Sequence, residues 1–169
     1  MATNIEIKAR VADPELLRER VEALSDTAGE LIVQEDTFFN VPSGRLKLRL
    51  LAADHGQLIY YQRSDRAGPK RSDYLLANTQ EPQTLKAALS AALGVRGQVN
   101  KERWLYWIGQ TRVHLDQVEG LGAFMELEVV LQSGDDPVQG QAIAQSIMDD
   151  LDLRQSDLIE GAYIDLIES

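Results

Sequence analysis

Apolar and polar positions alternate strictly along several short stretches of this chain. In "TNIEIKAR" (Thr3 to Arg10), Asn4, Glu6, Lys8 and Arg10 fall on one side and Ile5, Ile7 and Ala9 on the other. In "RLKLRLL", Arg45, Lys47 and Arg49 alternate with Leu46, Leu48 and Leu50. Period two is the signature of a strand with one apolar face. The pattern predicts strands at Thr3 to Val11, Glu30 to Phe39, from Arg45 onward, and Leu58 to Arg63. Further strands are predicted at Arg71 to Leu76, Val99 to Ile108, Arg112 to Val118 and Ala123 to Leu131. Helical signals lie between them. Asp13 before Pro14 marks a helix start that runs to about Leu24. "EPQTLKAALSAALG" reads as a short helix with Pro82 near its start and Gly94 at its end. Residues 136–151 place Val138, Ala142, Ile147 and Leu151 on one helical stripe, and the tail from Asp157 to Leu166 also reads as helix. "NVPSG" and "EGLG" are turns by composition.

Strands that follow one another directly favour an antiparallel sheet with helices packed outside, an α+β class. No repeat, linker or low-complexity tract interrupts residues 1–169, which are read as one domain. Hydrophobic content of 44% and charged content of 26% are ordinary for a globular chain. A net charge of −10 argues against general nucleic-acid binding, which needs positive surface charge. The absence of cysteine removes disulfide and thiolate chemistry. Two distant histidines make a His-rich metal centre a poor expectation, so any metal falls to carboxylates, which favours Mg²⁺ or Mn²⁺. No signal-peptide pattern or membrane-length apolar run is seen, so no membrane partner is expected and the default location is cytoplasmic.

The polar faces of the strands change the picture. They are charged at almost every position rather than mixed with Ser, Thr and Gln, and the charges segregate by strand. If the sheet curls into a barrel, these rows face one lumen. The inward bases would be Lys8, Lys47, Arg49, Arg63, Arg71, Lys101 and Arg103. The inward acids would be Glu6, Asp73, Asp116, Glu126 and Glu128. Unpaired charges are too costly to bury dry. Such a lumen calls for water and a polyanion, since Arg forks suit phosphate, and for a hard divalent cation beside the carboxylates. The bland alternative for any one strand is a solvated face with cross-strand salt bridges.

The ordered set of these stretches resembles the CYTH family, the triphosphate tunnel metalloenzymes. That family includes class IV adenylyl cyclases, thiamine triphosphatases and inorganic tripolyphosphatases. "NIEIK" stands where the family has Glu-x-Glu-x-Lys, and "LKLR" resembles its Leu-Arg-x-Arg strand. "YQRSDRAGPKRSDY" resembles the stretch carrying a base, a loop and an Arg-x-Glu strand, with Arg63 for Lys and Asp73 for Glu. "NKERWLY" resembles the Lys-x-Arg strand. "HLDQVEGLGAFMELEV" resembles Asp…Gly-Leu-Gly-x-Phe-x-Glu-x-Glu, in the form closest to class IV adenylyl cyclases, and "GAYIDLI" the C-terminal segment.

The resemblance implies an eight-stranded antiparallel barrel, with Glu6, Asp116, Glu126 and Glu128 as metal ligands for Mg²⁺ or Mn²⁺. It implies phosphate contacts from Lys8, Lys47, Arg49, Arg63, Lys101 and Arg103. Glu6, Lys8, Glu126 and Glu128 form the catalytic set. Arg71 and Asp73 are read as a phosphate ligand and its orienter, or equally as an edge-strand pair. Arg45 is read as exposed and His114 as a packed or mouth residue. Tyr61 and Tyr163 are read as core, with a place on the tunnel wall as the alternative, and Phe38, Phe39, Trp104 and Trp107 as core. The partner is a triphosphate-containing small molecule: ATP, tripolyphosphate or thiamine triphosphate. A homodimer is compatible with the fold type, though no interface signal is seen. Three readings stay open: adenylyl cyclase, triphosphatase, and a non-catalytic polyphosphate- or nucleotide-binding module. Asn4, in place of the first motif Glu, keeps the third alive, because an amide oxygen ligates a divalent cation without contributing charge. It implies weaker metal affinity and a preference for Mn²⁺.

Overall fold

Eight strands close into one antiparallel barrel in the computed structural model, which describes residues 1–168. They are β1 (Ala2–Arg10), β2 (Glu30–Phe39), β3 (Arg45–Ala52), β4 (His55–Arg63), β5 (Lys70–Thr79), β6 (Val95–Ile108), β7 (Thr111–Val118) and β8 (Gly122–Leu131). Around the barrel the order is β1-β5-β4-β3-β2-β6-β7-β8. Two meanders explain it. Strands β2 to β5 follow one another through short turns, as do β6 to β8. Pairing of β2 with β6 joins the meanders on one side, and β1 seals them on the other by pairing with both β5 and β8. Closure leaves no open sheet edge.

Four helices lie outside: α1 (Pro14–Leu24), α2 (Pro82–Leu93), α3 (Pro137–Asp150) and α4 (Tyr163–Glu168). The Asp13 carboxylate accepts from the Leu16 amide at 3.1 Å, and Asp136 from the Val138 amide at 2.9 Å, each followed by a proline at the first turn. Helix α2 stops at Gly94, whose φ of +78° suits glycine. Gly140 lets α3 approach β1: a Cβ there would lie 2.8 Å from Ile5 Cγ1.

The apolar core lies between the barrel's outer face and these helices, not inside the barrel. Ile5, Ile7, Val113, Leu127 and Val129 pack outward against Val21, Ala144, Met148 and Leu151. The alternation therefore turns the leucine and isoleucine faces out to the helices and the charged rows in. A second cluster, including Phe38, Val99, Phe124 and Tyr163, closes one end of the barrel under α4.

The predicted elements are all present, with shifted ends. Strands β4, β5 and β6 start earlier than their patterns imply. The tail departs more: after one 3-10 turn at Gln155–Asp157 it is α-helical only from Tyr163. Leu158 instead bridges to Ala9, and the Ile159 amide donates to the Lys8 carbonyl at 3.0 Å. Pairing with β1 overrides the local helical signal there. Trp107 is half-buried rather than core, whereas the half-buried Trp104 packs against the main core cluster, and among the described residues no helix is long and apolar enough to cross a membrane.

Candidate active site

The inward rows enclose a cavity of about 350 Å³. Glu6, Lys8, Lys47, Arg49, Arg63, Lys101, Arg103, Glu126 and Glu128 all reach it, as their alternation requires. Strand pairing sorts them into two walls. Strands β1 and β8 are neighbours, so Glu6 sits opposite Glu128, and Lys8 opposite Glu126. Strands β3, β4 and β6 supply most of the bases.

Each charge has a partner. Lys8 Nζ is 3.3 Å from Glu126 Oε1 and lies 3.7 Å over the Tyr163 ring. Arg63 donates to Glu6 Oε2 at 2.9 Å and to the Gly161 carbonyl at 2.6 Å. Asp36 takes both arms of the Arg49 fork at 2.9 Å, with Lys47 at 3.4 Å. Arg112 donates to Glu128 Oε2 at 3.1 Å.

The acidic wall is crowded. Burial first, then repulsion from Glu128 and Glu126, raises the Glu6 carboxyl above its ordinary pKa despite the Arg63 contact. Burial acts in the same direction on Glu128, but His114 and Arg112 overcome it and hold that carboxyl well below the usual range. Burial opposes ionisation of Asp36 too, yet Arg49 and Lys47 keep it far below the carboxylate range. The lysines respond in the opposite sense. Burial pushes Lys8 down to about 8 and Lys47 down to about 7, against the pull of Glu126 and Asp36 respectively.

The donors fit a divalent cation. His114, Glu126 and Glu128 each present a ligand atom, all within 4.8 Å of one another. His114 Nδ1 is 2.9 Å from Glu128 Oε1 and 3.7 Å from Glu126 Oε2. Asn4 donates through Nδ2 to Glu128 Oε2 at 3.0 Å, which leaves its Oδ1 buried with no hydrogen-bond partner. An orphaned amide oxygen beside crowded carboxylates is the environment that a hard cation relieves.

Three sequence expectations need correcting. Arg71 and Asp73 lie outside the barrel. They pair with each other at 3.0 Å on the surface, with the Arg71 side chain 59% exposed, which is the strand-face pair of their two readings and not the inward phosphate site. Pairing of Glu6 with Lys70 sets the parity of β5, so Ser72 and Tyr74 line the cavity, while Lys70 is buried beyond its reach. Asp116 faces inward but is sealed. Its oxygens take both arms of Arg103 at 2.8 Å, and Oδ2 also accepts from the Tyr163 hydroxyl at 2.9 Å. It orients Arg103 and Lys101 rather than offering a free ligand position. Arg45 is not exposed either: its guanidinium holds Asp165 at 2.7 Å and Asp65 at 2.9 Å. Phe38, Tyr61 and Tyr163 are buried and also line the lumen.

Asp36 and Arg112 line the cavity and were missed, and His114 was set aside. Parity alone could have found Arg112, two residues before His114 on one strand face. Asp36 sits in a row with Gln34 and Phe38, which carries no charge signature. Lys70 is wholly buried and donates to the Arg66 carbonyl at 2.8 Å.

Comparison with known proteins agrees with the fold. The CYTH domain profile matches residues 2–163. The PH1012 protein of Pyrococcus horikoshii OT3 is 27% identical with a TM-score of 0.85, covering 96% of this chain and 98% of its own. A Vibrio parahaemolyticus protein provisionally assigned as an adenylate cyclase is 18% identical with a TM-score of 0.75, covering 98% of each chain. The Hippeastrum adenylyl cyclase candidate HpAC1, described as having a dominant triphosphatase activity, is 17% identical. Its TM-score is 0.61, with 89% of this chain and 88% of its own covered. Sequence comparison with curated proteins finds no match.

Proposed function

The chain belongs to the CYTH family, and from that premise we propose that it is a metal-dependent enzyme acting on a triphosphate, with adenylyl cyclase chemistry as the first reading. The observation that carries the reading is one cavity lined by bases from β3, β4 and β6 and by carboxylates from β1 and β8. Lys47, Arg49, Arg63, Lys101 and Arg103 grip phosphate oxygens. Their carboxylate partners pre-position the forks, and a phosphate then replaces those partners in part. Glu6, Glu126 and Glu128, with His114 and the Asn4 amide oxygen, would hold Mg²⁺ or Mn²⁺. When bound, the cation supplies positive charge that polarises phosphate oxygens and acidifies an attacking hydroxyl.

In the cyclase reading the ribose 3′-oxygen bonds to the α-phosphorus and the bond to the β-phosphate bridging oxygen breaks. The hydroxyl proton leaves toward the carboxylate wall. Pyrophosphate departs with its charge met by the basic wall. Hydrolysis of the triphosphate is the second reading. The basic wall would hold a diphosphate product equally well, and the Hippeastrum neighbour is described as chiefly a triphosphatase.

One experiment separates them. The pure protein is incubated with Mg²⁺ or Mn²⁺ and ATP, tripolyphosphate or thiamine triphosphate, and products are resolved by phosphorus NMR. Cyclic AMP with pyrophosphate supports the first reading and orthophosphate release the second. Binding without turnover would refute both and leave a binding module. Full activity in Glu126→Gln/Glu128→Gln would overturn the site assignment.

A further inference from the structure

Tyr163 opens α4 and lines the lumen at its closed end. Its contacts there go beyond packing. Lys8 and Lys101 come from β1 and β6, strands that do not pair, yet both place Nζ over its ring, at 3.7 Å and 4.8 Å from the centroid. Its hydroxyl donates to Asp116 Oδ2 at 2.9 Å, the same oxygen that Arg103 reaches at 2.8 Å. Phe124 packs edge-on against the ring, with centroids 5.1 Å apart. One side chain therefore touches two inward lysines and the carboxylate that holds Arg103.

A leucine would fill the same space. A ring face does something that an aliphatic group cannot: its quadrupole attracts an ammonium group without carrying a negative charge. The difference matters in a cavity that has to receive an anion. A carboxylate partner competes with an arriving phosphate for the ammonium group, and a neutral ring does not. The carboxylate contacts of these two lysines are long for charge-assisted bonds, 3.3 Å from Lys8 to Glu126 and 3.5 Å from Lys101 to Asp116. Water cannot make up the difference, because the two side chains are only 4% and 2% exposed. The ring is what remains to hold two like charges at the closed end.

We infer that Tyr163 is a positioning residue for phosphate binding: its ring is the platform that holds the Lys8 and Lys101 ammonium groups at the lumen, and its hydroxyl steadies the Asp116–Arg103 pair. This rests on the phosphate-gripping reading given above and adds to it a role that the bases do not perform for themselves. Without the ring, the two ammonium groups settle onto Glu126 and Asp116, and a phosphate has to draw them out of closer ion pairs.

The test combines NMR of the lysine side chains with calorimetric titration of inorganic tripolyphosphate in EDTA. Wild type is compared with Tyr163→Phe, Tyr163→Leu and Ile164→Ala. Lysine ε-methylene protons seated on a ring face move upfield. The signals assigned to Lys8 and Lys101 are upfield in wild type and in Tyr163→Phe, and return to ordinary positions in Tyr163→Leu. Tyr163→Leu weakens tripolyphosphate binding about tenfold, whereas Tyr163→Phe, which keeps the platform, stays within about threefold of wild type. Ile164 is wholly buried on the same helix, against Gly97, and touches neither lysine. Ile164→Ala therefore lowers the melting temperature while leaving the lysine signals in place and the affinity within about twofold. An equal loss of affinity in Ile164→Ala and Tyr163→Leu makes Tyr163 a packing residue and overturns the proposal. So does a wild-type spectrum in which neither lysine is shifted upfield, a result that needs no variant to fold. A wild-type protein whose lysines are shifted but which does not bind tripolyphosphate overturns the phosphate reading instead.

Discussion

Asp36→Ala is the sharpest probe of how the lumen is held together. Asp36 is almost wholly buried and serves two bases, Arg49 through both fork arms at 2.9 Å and Lys47 at 3.4 Å. Removing one partner of a buried pair leaves uncompensated charge, at a cost of about 3–5 kcal/mol. The Arg49 and Lys47 side chains keep some access to lumen water, so a cost of about 2–4 kcal/mol is the better figure. For a domain of this size that lowers Tm by roughly 4–16 °C. Arg71→Ala, on the outer surface, serves as a control and shifts Tm by under about 2 °C. Thermal melts by circular dichroism at neutral pH measure both. The pH dependence has a definite sign. A carboxylate held low in the folded state stabilises above its unfolded pKa of about 3.9 and loses that contribution as pH falls toward the folded value. The gap between wild type and variant is therefore full at neutral pH and closes in acid. Tripolyphosphate then supplies the missing negative charge, so saturating ligand raises the variant's Tm by more than the wild type's. A variant that melts within about 2 °C of wild type, or gains less from ligand, refutes this account of Asp36.

Three further outcomes follow from the same geometry. Lys47 and Lys8, pushed down to about 7 and about 8, are largely and half deprotonated at pH 8, so phosphate binding takes up as much as about 1.4 protons there. Calorimetry in two buffers of different ionisation enthalpy reads this directly, affinity falling as pH rises through that window; buffer-independent heats would contradict it. Asn4→Glu adds a carboxylate beside Glu128 and tightens Mn²⁺ binding by about tenfold in a calorimetric titration, whereas unchanged affinity would strip Asn4 of any meaning for the metal. Asp165→Asn weakens the contacts that Asp165 makes with Arg45 at 2.7 Å and Arg96 at 2.6 Å. Amide exchange over Tyr163–Glu168 then speeds up about tenfold, and an unchanged rate would show that these ion pairs do not hold α4 in place.

Alternation carried most of the fold because the two faces of each strand differ so sharply. Leu46, Leu48 and Leu50 could not sit in a charged lumen, nor Lys47 and Arg49 under a helix, so the face of β3 is fixed by its own residues. The face of β5 is not. Lys70, Arg71, Ser72 and Asp73 put polar groups on both parities, and only the register with Glu6 decides that Ser72 faces in. Proximity across strands is the other quantity that composition hides. His114 and Glu126 are twelve residues apart, yet the β7–β8 hairpin makes them direct partners. Rejecting a histidine-rich centre was sound for two distant histidines, but it said nothing about one histidine placed beside two glutamates.

The charge balance of the lumen carries the last step. Lys8, Lys47, Arg49, Arg63, Lys101, Arg103 and Arg112 face Glu6, Asp36, Asp116, Glu126 and Glu128, seven bases against five acids. The whole chain carries −10, so the lumen is a positive island of about +2 inside an acidic protein. A nucleic acid, which needs a basic surface, meets a repulsive exterior. A triphosphate ester carries about −4 at neutral pH, and with one divalent cation about −2, the complement of the lumen. Each inward base already has an acidic partner, so the empty barrel does not bury naked cations. Glu6, Asp36, Glu126 and Glu128 face the cavity, so a phosphate oxygen can take their place beside their bases, while Asp116 stays sealed. That exchange explains why the interior can be both stable without a ligand and selective for one.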